Sequence, residues 1–330
     1  MKRNYYLFEV RNIKRNDNTL MVEKYDGKKI SIPVEQINDI FVFSTMSFNT
    51  KFLDMISKNQ ICMHTFNYYG YYSGTYYPRE KNVSGNLLVK QVSTYCDDLK
   101  RLEIAKEIIE SSAFHIYRNL RYYKERGKNV EEGMKQISKL RNSIKYAKNI
   151  KQLMGIEGNI RKIYYSNWNE IIGNTFNFSK RVRQPPDNAI NSLISFLNSV
   201  LYTVVLSEIY KTQLNPTISF LHEPGSKRFS LSLDISEIFK PLIVDRMIFS
   251  IINNKIINAN SFKKDIDFLF IKEKDRKIIL KKFDDKLNTK IMHRDLKREV
   301  TYRYLIRLEA YKLIKSLIEG SDYKAFKIWW

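Results

Sequence analysis

The stretch NPTISFLHEPGSKRFSLSLDISEIFKPLIVDR, residues 215–246, organises this chain of 330 residues. It sets His222 in a turn rich in Pro and Gly, and brings Asp234 and Glu237 twelve and fifteen residues later. The apolar pattern Leu231, Leu233, Ile235, Ile238 and Phe239 predicts a buried helix after the turn. Two carboxylates at i and i+3 on a helix share a face and can point at one site. An imidazole with carboxylate oxygens is ligand chemistry for manganese or magnesium. Packing or capping is the plain alternative for His222.

Outward from this stretch, a second acid stands upstream. In GIEGNIRKIYY, residues 155–165, Glu157 lies between two glycines at a predicted helix entrance, where glycine lets another backbone or a substrate approach closely. Arg161 and Tyr165 follow at +4 and +8 on the same face. Arg161 suits steadying the carboxylate or meeting a phosphate, and Tyr165 suits positioning a substrate. A salt bridge and a packed aromatic are equally open. Residues 176–187, FNFSKRVRQPPD, read as a loop: Pro185-Pro186 blocks a helix, and Asp187 or Asn188 is placed to cap the next one. Lys180, Arg181 and Arg183 make this loop basic, either to grip a DNA backbone or as a solvated surface. Residues 188–210 follow as an apolar core helix carrying Asn191, read as a cap or as a group behind the metal ligands.

Taken in order, these segments resemble a known family. G-x-E-G, R-x-R-x-P-P-x, N-x-L-x-S-F, F-L-H-E-x-G-S and L-x-L-D-x-x-E-x-F-K-P-x-x-V-D-R together resemble the CRISPR-associated spacer-acquisition endonuclease/integrase family, "Cas one", over nearly the whole chain. In that family a glutamate, a histidine and an acidic residue hold a divalent metal. The resemblance puts them on Glu157, His222 and Glu237, with Asp234 at a neighbouring acidic position and Asn191 in the family's Asn-containing motif. It implies a metal-dependent DNA endonuclease/integrase that inserts spacers into a CRISPR array by 3′-hydroxyl attack. It further implies an N-terminal β domain, a helical C-terminal domain, a homodimer formed through the β domains, and two such dimers flanking a Cas two dimer on protospacer and leader-repeat DNA. The family often has another basic residue near Gln184, so the loop contacts are thinner here. The NYYGYYSGTYY pattern and the terminal IWW resemble the branch found with type I systems.

Composition points the same way by an independent route. With 57 basic against 35 acidic residues the formal charge is +22, which favours a polyanionic partner, because Lys and Arg on phosphates release condensed counterions. No apolar run reads as a membrane span, no secretory pattern opens the chain, and only Cys62 and Cys96 are present, so a reducing cytoplasm without membrane association is expected. Zinc is not expected, because no Cys/His pairs have its spacing.

The predicted fold is α+β: a small β-rich domain over 1–79, a linker over 80–85, and a larger, all-helical catalytic domain over 86–330. Strands are expected at 5–10, 19–25, 28–32, 37–43 and 61–66, with a helix at 49–58 and a hairpin turn at Asp26-Gly27. The aromatic run 67–77 is either a base-stacking surface or an aromatic strand pair, with the pair favoured. Helices are expected over 86–126, 129–148, 152–172, 188–210, 241–257 and 302–318. His115 falls in a core stripe, and Asp245-Arg246 reads as a structural ion pair. Lys227, Arg228, Arg294, Lys297 and Arg298 join the candidate DNA contacts. Trp329-Trp330 suit either a partner or their own domain. Two other functions use the same features: a non-catalytic basic DNA-binding scaffold, which needs no convergence of the acids with His222, and a metal-dependent RNA nuclease.

Overall fold

The structure is a computed structural model that describes residues 2–173, 176–182, 185–225, 229–265 and 268–329. Arg183, Lys227, Arg228 and Trp330 lie outside the described residues. The chain divides into two compact units, one running to Lys81 and including Arg276–Leu280, the other taking Asn82–Asp275 and the chain from Lys281.

In the first unit β1 (Arg3–Leu7) and β2 (Val10–Asn16) replace the single strand expected over 5–10. Glu9, at φ 56°, breaks the run between them. The sequence hid β2 because only Val10 and Ile13 point inward, among Arg, Asn and Lys. β3 (Thr19–Lys24) and β4 (Lys29–Pro33) form the hairpin expected at Asp26-Gly27, with Gly27 at φ 81°. With β6 (Ser47–Phe48) they make a sheet of order β4-β3-β2-β6. A second sheet, β1-β5-β7-β8, holds β5 (Ile37–Val42), β7 (Met63–Phe66) and β8 (Tyr72–Tyr76). β5 and β7 are parallel, which needs a crossover, and α1 (Thr50–Lys58) supplies it. Leu7, Val10, Ile13, Leu20, Ile37, Ile40, Phe52 and Ile56 form the buried centre. The aromatic run 67–77 becomes the β7–β8 turn and an antiparallel strand on β7, the strand-pair alternative.

The second unit carries α2 (Gly85–Cys96), α3 (Asp98–Lys124), α4 (Glu131–Ile144), α5 (Ile150–Ser166), α6 (Trp168–Ile172), α7 (Ala189–Tyr210), α8 (Ser230–Phe239), a π-helical turn (Lys240–Asp245) and α9 (Arg246–Asn253). It is not all-helical. β9 (Phe262–Asp265) pairs with β10 (Phe268–Ile271), α10 (Glu273–Asn288) follows, with its Arg276–Leu280 counted in the first unit, and β11 (Lys290–Met292) pairs with β12 (Glu299–Thr301) before α11 (Tyr302–Glu319). Strands of three or four residues are too short to show a period of two, and all but β10 carry charge.

α7 overturns one expectation: its 22 residues are long and apolar enough to cross a membrane. Of its apolar window 83% is buried within the protein, as for a helix hydrophobic all round at the centre of a domain. Glu208 near its end is fully buried against Arg303 at 2.6 Å, Arg307 at 2.7 Å and Lys211 at 3.2 Å. Burial pushes its carboxyl up, but the three cations outweigh it and hold the group well below the usual range. The C-terminal tail folds back on its own unit: Ala325, Phe326 and Ile328 are buried, and the Trp329 ring lies 5.4 Å from that of His293.

Candidate functional site

α8 gathers the site. Its Asp234 is fully buried and accepts four hydrogen bonds from the turn before it. The backbone N–H groups of Phe220, Leu221 and His222 donate to it at 2.7, 2.9 and 3.0 Å, and His222 Nδ1 donates at 2.8 Å. The proton on Nδ1 follows from this network, since a carboxylate can only accept. Asp234 was expected beside the ligands as a catalytic acid. Its oxygens are instead consumed by the turn, so it positions His222. Among the described residues nothing bonds His222 Nε2, and the side chain keeps 19% of its exposure.

The turn is also held from α2 and α3 by residues that sequence reasoning missed. Gln91 Nε2 donates to the carbonyls of Asn215 and Ile218 at 2.9 and 2.8 Å. Arg101 donates to the Phe220 carbonyl at 2.9 Å and to Glu223 at 2.6 Å, and Tyr95 donates to Glu223 at 2.9 Å. The Glu223 carboxyl is lowered chiefly by the Arg101 hydrogen bond. The one sequence signal was the acid directly after His222. Nothing in α2 or α3 marked its partners.

Glu237, one turn after Asp234, turns to a different neighbour. Arg161 Nη2 donates to Glu237 Oε2 at 2.6 Å, and its Nε donates to Glu157 Oε1 at 3.1 Å. One guanidinium therefore bridges the two acids, and Ser112 Oγ accepts from it at 3.3 Å. Lys240 also donates to Glu237. Burial pushes the Glu237 carboxyl up, but Lys240, Arg161 and His222 outweigh it and hold it well below the usual range.

Glu157 does not stand at a helix entrance. α5 starts two turns earlier, capped by Asn149, whose side chain accepts from the Gln152 N–H at 2.9 Å. Gly155 and Gly158 are interior positions, and a methyl group on either would meet no atom within 4 Å. The chain itself makes no close approach there.

Tyr165 takes the packed-aromatic alternative, edge-on to Trp168 at 5.2 Å and Phe178 at 5.7 Å. Burial pushes its phenol up to about 12, with Arg161 pulling the other way. Asn191 is not behind the ligands. It holds the basic loop, accepting from the Val182 N–H at 3.2 Å and Arg181 at 3.1 Å and donating to the Lys180 carbonyl at 3.0 Å and Asp187 at 2.7 Å. Arg181 is committed to this cradle and to Ser195 at 3.0 Å, whereas Lys180 is exposed. Asn188, not Asp187, caps α7. Asp245 and Arg246 form no ion pair. Adjacent helical residues point apart, and Arg246 donates to Asn119 at 2.7 Å. Asp245 stays buried, and that burial pushes its carboxyl up to about 7 against the pull of Arg161 and Tyr164. Arg294, Lys297 and Arg298 sit together in the exposed β11–β12 turn.

Among the described residues no three of His, Cys, Asp and Glu stand close enough to hold one ion. The positive charge shared by Glu157 and Glu237 here is the Arg161 guanidinium. The donor chemistry nevertheless fits a hard divalent cation: two carboxylates, and an imidazole whose Nδ1–H is fixed by a carboxylate so that Nε2 is left to bind.

Residues 5–285 match the family model of CRISPR associated protein Cas1. The CRISPR-associated endonuclease Cas1 of Fusobacterium nucleatum is 54% identical over 330 residues, covering 100% of this chain and 98% of that protein. The solved structure of a CAS1 protein from Thermotoga maritima superposes with a TM-score of 0.87 at 38% identity, over 98% of this chain and 99% of that one. A casposase bound to its integration product shares the fold, with a TM-score of 0.84 at 21% identity over 98% of this chain and 92% of that one. With its mixed α+β fold and its ordered motifs, the chain belongs to the CRISPR-associated Cas1 family.

Proposed function

We propose that this Cas1 chain is a divalent-metal-dependent DNA endonuclease and integrase that inserts new spacers into a CRISPR array. The observations that support the reading are Glu157 and Glu237 held together by Arg161, and His222 aimed by Asp234 one helical turn before Glu237 on α8. A non-catalytic scaffold has no use for a histidine held by one buried acid, with a second buried acid kept ionised one helical turn further along α8.

Glu157, His222 and Glu237 would hold manganese or magnesium. When bound, the ion polarises a phosphoryl oxygen and stabilises charge on the attacking and leaving oxygens. The chain's own residues do the rest. Asp234 accepts the Nδ1–H of His222, so in the neutral imidazole Nε2 is the nitrogen left with a lone pair to bind an ion. Lys240 and Arg161 keep Glu237 ionised despite its burial, so its oxygens remain acceptors. In strand transfer the 3′-oxygen of the incoming DNA forms a bond to the target phosphorus, the bond to the target strand's 3′-oxygen breaks, and the proton passes to that oxygen. The partners proposed are protospacer and leader-repeat DNA, a second copy of this chain through the β-rich unit, and a Cas two dimer. The surplus of basic residues supports the first of these.

The test is transfer of a short duplex with free 3′ ends into a supercoiled leader-repeat plasmid, with the Cas two partner and manganese. Wild type should give joined product that a chelator abolishes. His222→Ala and Glu157→Ala should each lose at least about 100-fold while retaining DNA binding. Equal product from all three proteins would remove these residues from the chemistry.

A further inference from the structure

The β11–β12 turn, residues 293–298, is built more firmly than a solvated loop requires. His293 closes it: its N–H donates to the Arg298 carbonyl at 2.8 Å and its carbonyl accepts from the Lys297 N–H at 3.0 Å. Its Nδ1 faces the N–H groups of Asp295 and Leu296 at 3.2 and 3.1 Å. The ring rests against Trp329. Arg298 lies over the Tyr304 ring, 5.6 Å from its centre. The turn is therefore held from inside by an imidazole and from below by two aromatics.

This frame presents three exposed cations, Arg294, Lys297 and Arg298, none of which pairs with a carboxylate among the described residues. Between them sits Leu296, 42% exposed, and Met292 enters the turn 60% exposed. A single exposed leucine on a protein surface ordinarily needs no explanation. A leucine on a rigid tip flanked by unpaired cations fits a duplex: the cations meet phosphates on either side, and the apolar side chain enters between base pairs and partly unstacks them.

We propose that this hairpin is a DNA-deforming wedge, with Leu296 the inserting side chain and Arg294, Lys297 and Arg298 its phosphate clamp. The proposal rests on the reading that the chain binds DNA, and it is independent of the metal site. A short duplex with 2-aminopurine at successive positions is the probe, because unstacking raises that base's fluorescence. Wild type should raise it severalfold at one or two positions. Leu296→Ser should bind with the same salt dependence and lose most of the rise. Lys297→Gln combined with Arg298→Gln should lower the slope of log affinity against log salt by about 1.8.

A full fluorescence rise with Leu296→Ser, or an unchanged salt slope with the double variant, would overturn the wedge. So would loss of binding to phosphatidylserine vesicles with DNA binding unaltered, which would make the tip a membrane contact. Wild type without affinity for duplex would sink the DNA reading and the wedge together. Normal strand transfer by Leu296→Ser with the fluorescence rise intact would sink the wedge alone. All these positions are exposed, and unchanged thermal midpoints would verify that the variants fold.

Discussion

Two histidines are bonded to α8, and they have opposite fates. His115 is fully buried, with Nδ1 donating to the Ile238 carbonyl at 3.0 Å and Nε2 accepting from the Ile328 N–H at 3.1 Å. Both nitrogens are consumed by backbone, so the ring joins α3, α8 and the C-terminal tail and has nothing left to offer. His222 spends one nitrogen on Asp234 and keeps the other. The lesson is that the histidine proposed as a ligand is the one whose side-chain hydrogen bonds stop at one. Residue type and position beside α8 alone would not separate the pair, whereas burial does: His115 is fully buried and the His222 side chain keeps 19% of its exposure.

The largest expected effect breaks the comparison if it goes the wrong way. His115→Ala strands a buried carbonyl and a buried N–H and leaves a cavity, so urea unfolding should show a loss of about 4 kcal/mol. His222→Ala should cost less, about 2 kcal/mol on the same measurement, because it removes one of four hydrogen bonds to the buried Asp234 from a part-exposed turn and leaves no enclosed cavity. If the two costs were reversed, the assignment of one to structure and the other to function would fall.

Next in size is the effect of removing the support of His222. Asp234→Asn keeps the shape but supplies an acceptor oxygen on one side only, so part of the 220–222 turn loses its partner and Nδ1 loses its fixed proton. Manganese affinity, followed by calorimetry, should fall about 10- to 100-fold, in line with second partners of metal-bound histidines. Unchanged affinity would mean that His222 does not need its carboxylate.

The smallest effect is in pH. Burial holds His115 down, to about 3, with the charges of Arg246, Lys327 and Arg141 adding to it. Between roughly 6.5 and 3 the unfolded chain binds a proton that the folded chain refuses. Stability from this group is therefore complete above about pH 6.5 and is lost as the pH falls, by about 2 kcal/mol at pH 5. His115→Gln should flatten the unfolding profile across that window, and a profile as steep as wild type would place the acid sensitivity elsewhere.

Much of the fold was legible where its causes are local. The Asp26-Gly27 hairpin, a cap at Asp187 or Asn188, the favoured aromatic strand pair and the long apolar helix follow from spacing over a few residues. β2 was not legible, because its charged outer face hid two inward residues, and the short hairpins of the second unit carry too few residues to show a period. Within the site, His222, Glu237 and Glu157 were legible as chemical types. Their arrangement was not, since Arg161 reaches Glu237 across 76 positions and Arg101 reaches Glu223 across 122.

By itself the sequence determined the basic charge, the ordered motifs and the family, and which side chains have the chemistry to hold a hard cation. Only the tertiary structure decided that Asp234 serves His222, that Asn191 serves the basic loop, and that Arg161 joins the two glutamates. The physical reason is range. A cap or a tight turn is fixed by backbone geometry over three or four residues. The partner of a buried charge is whichever group the packing of distant helices brings within about 3 Å, and no local pattern encodes that choice.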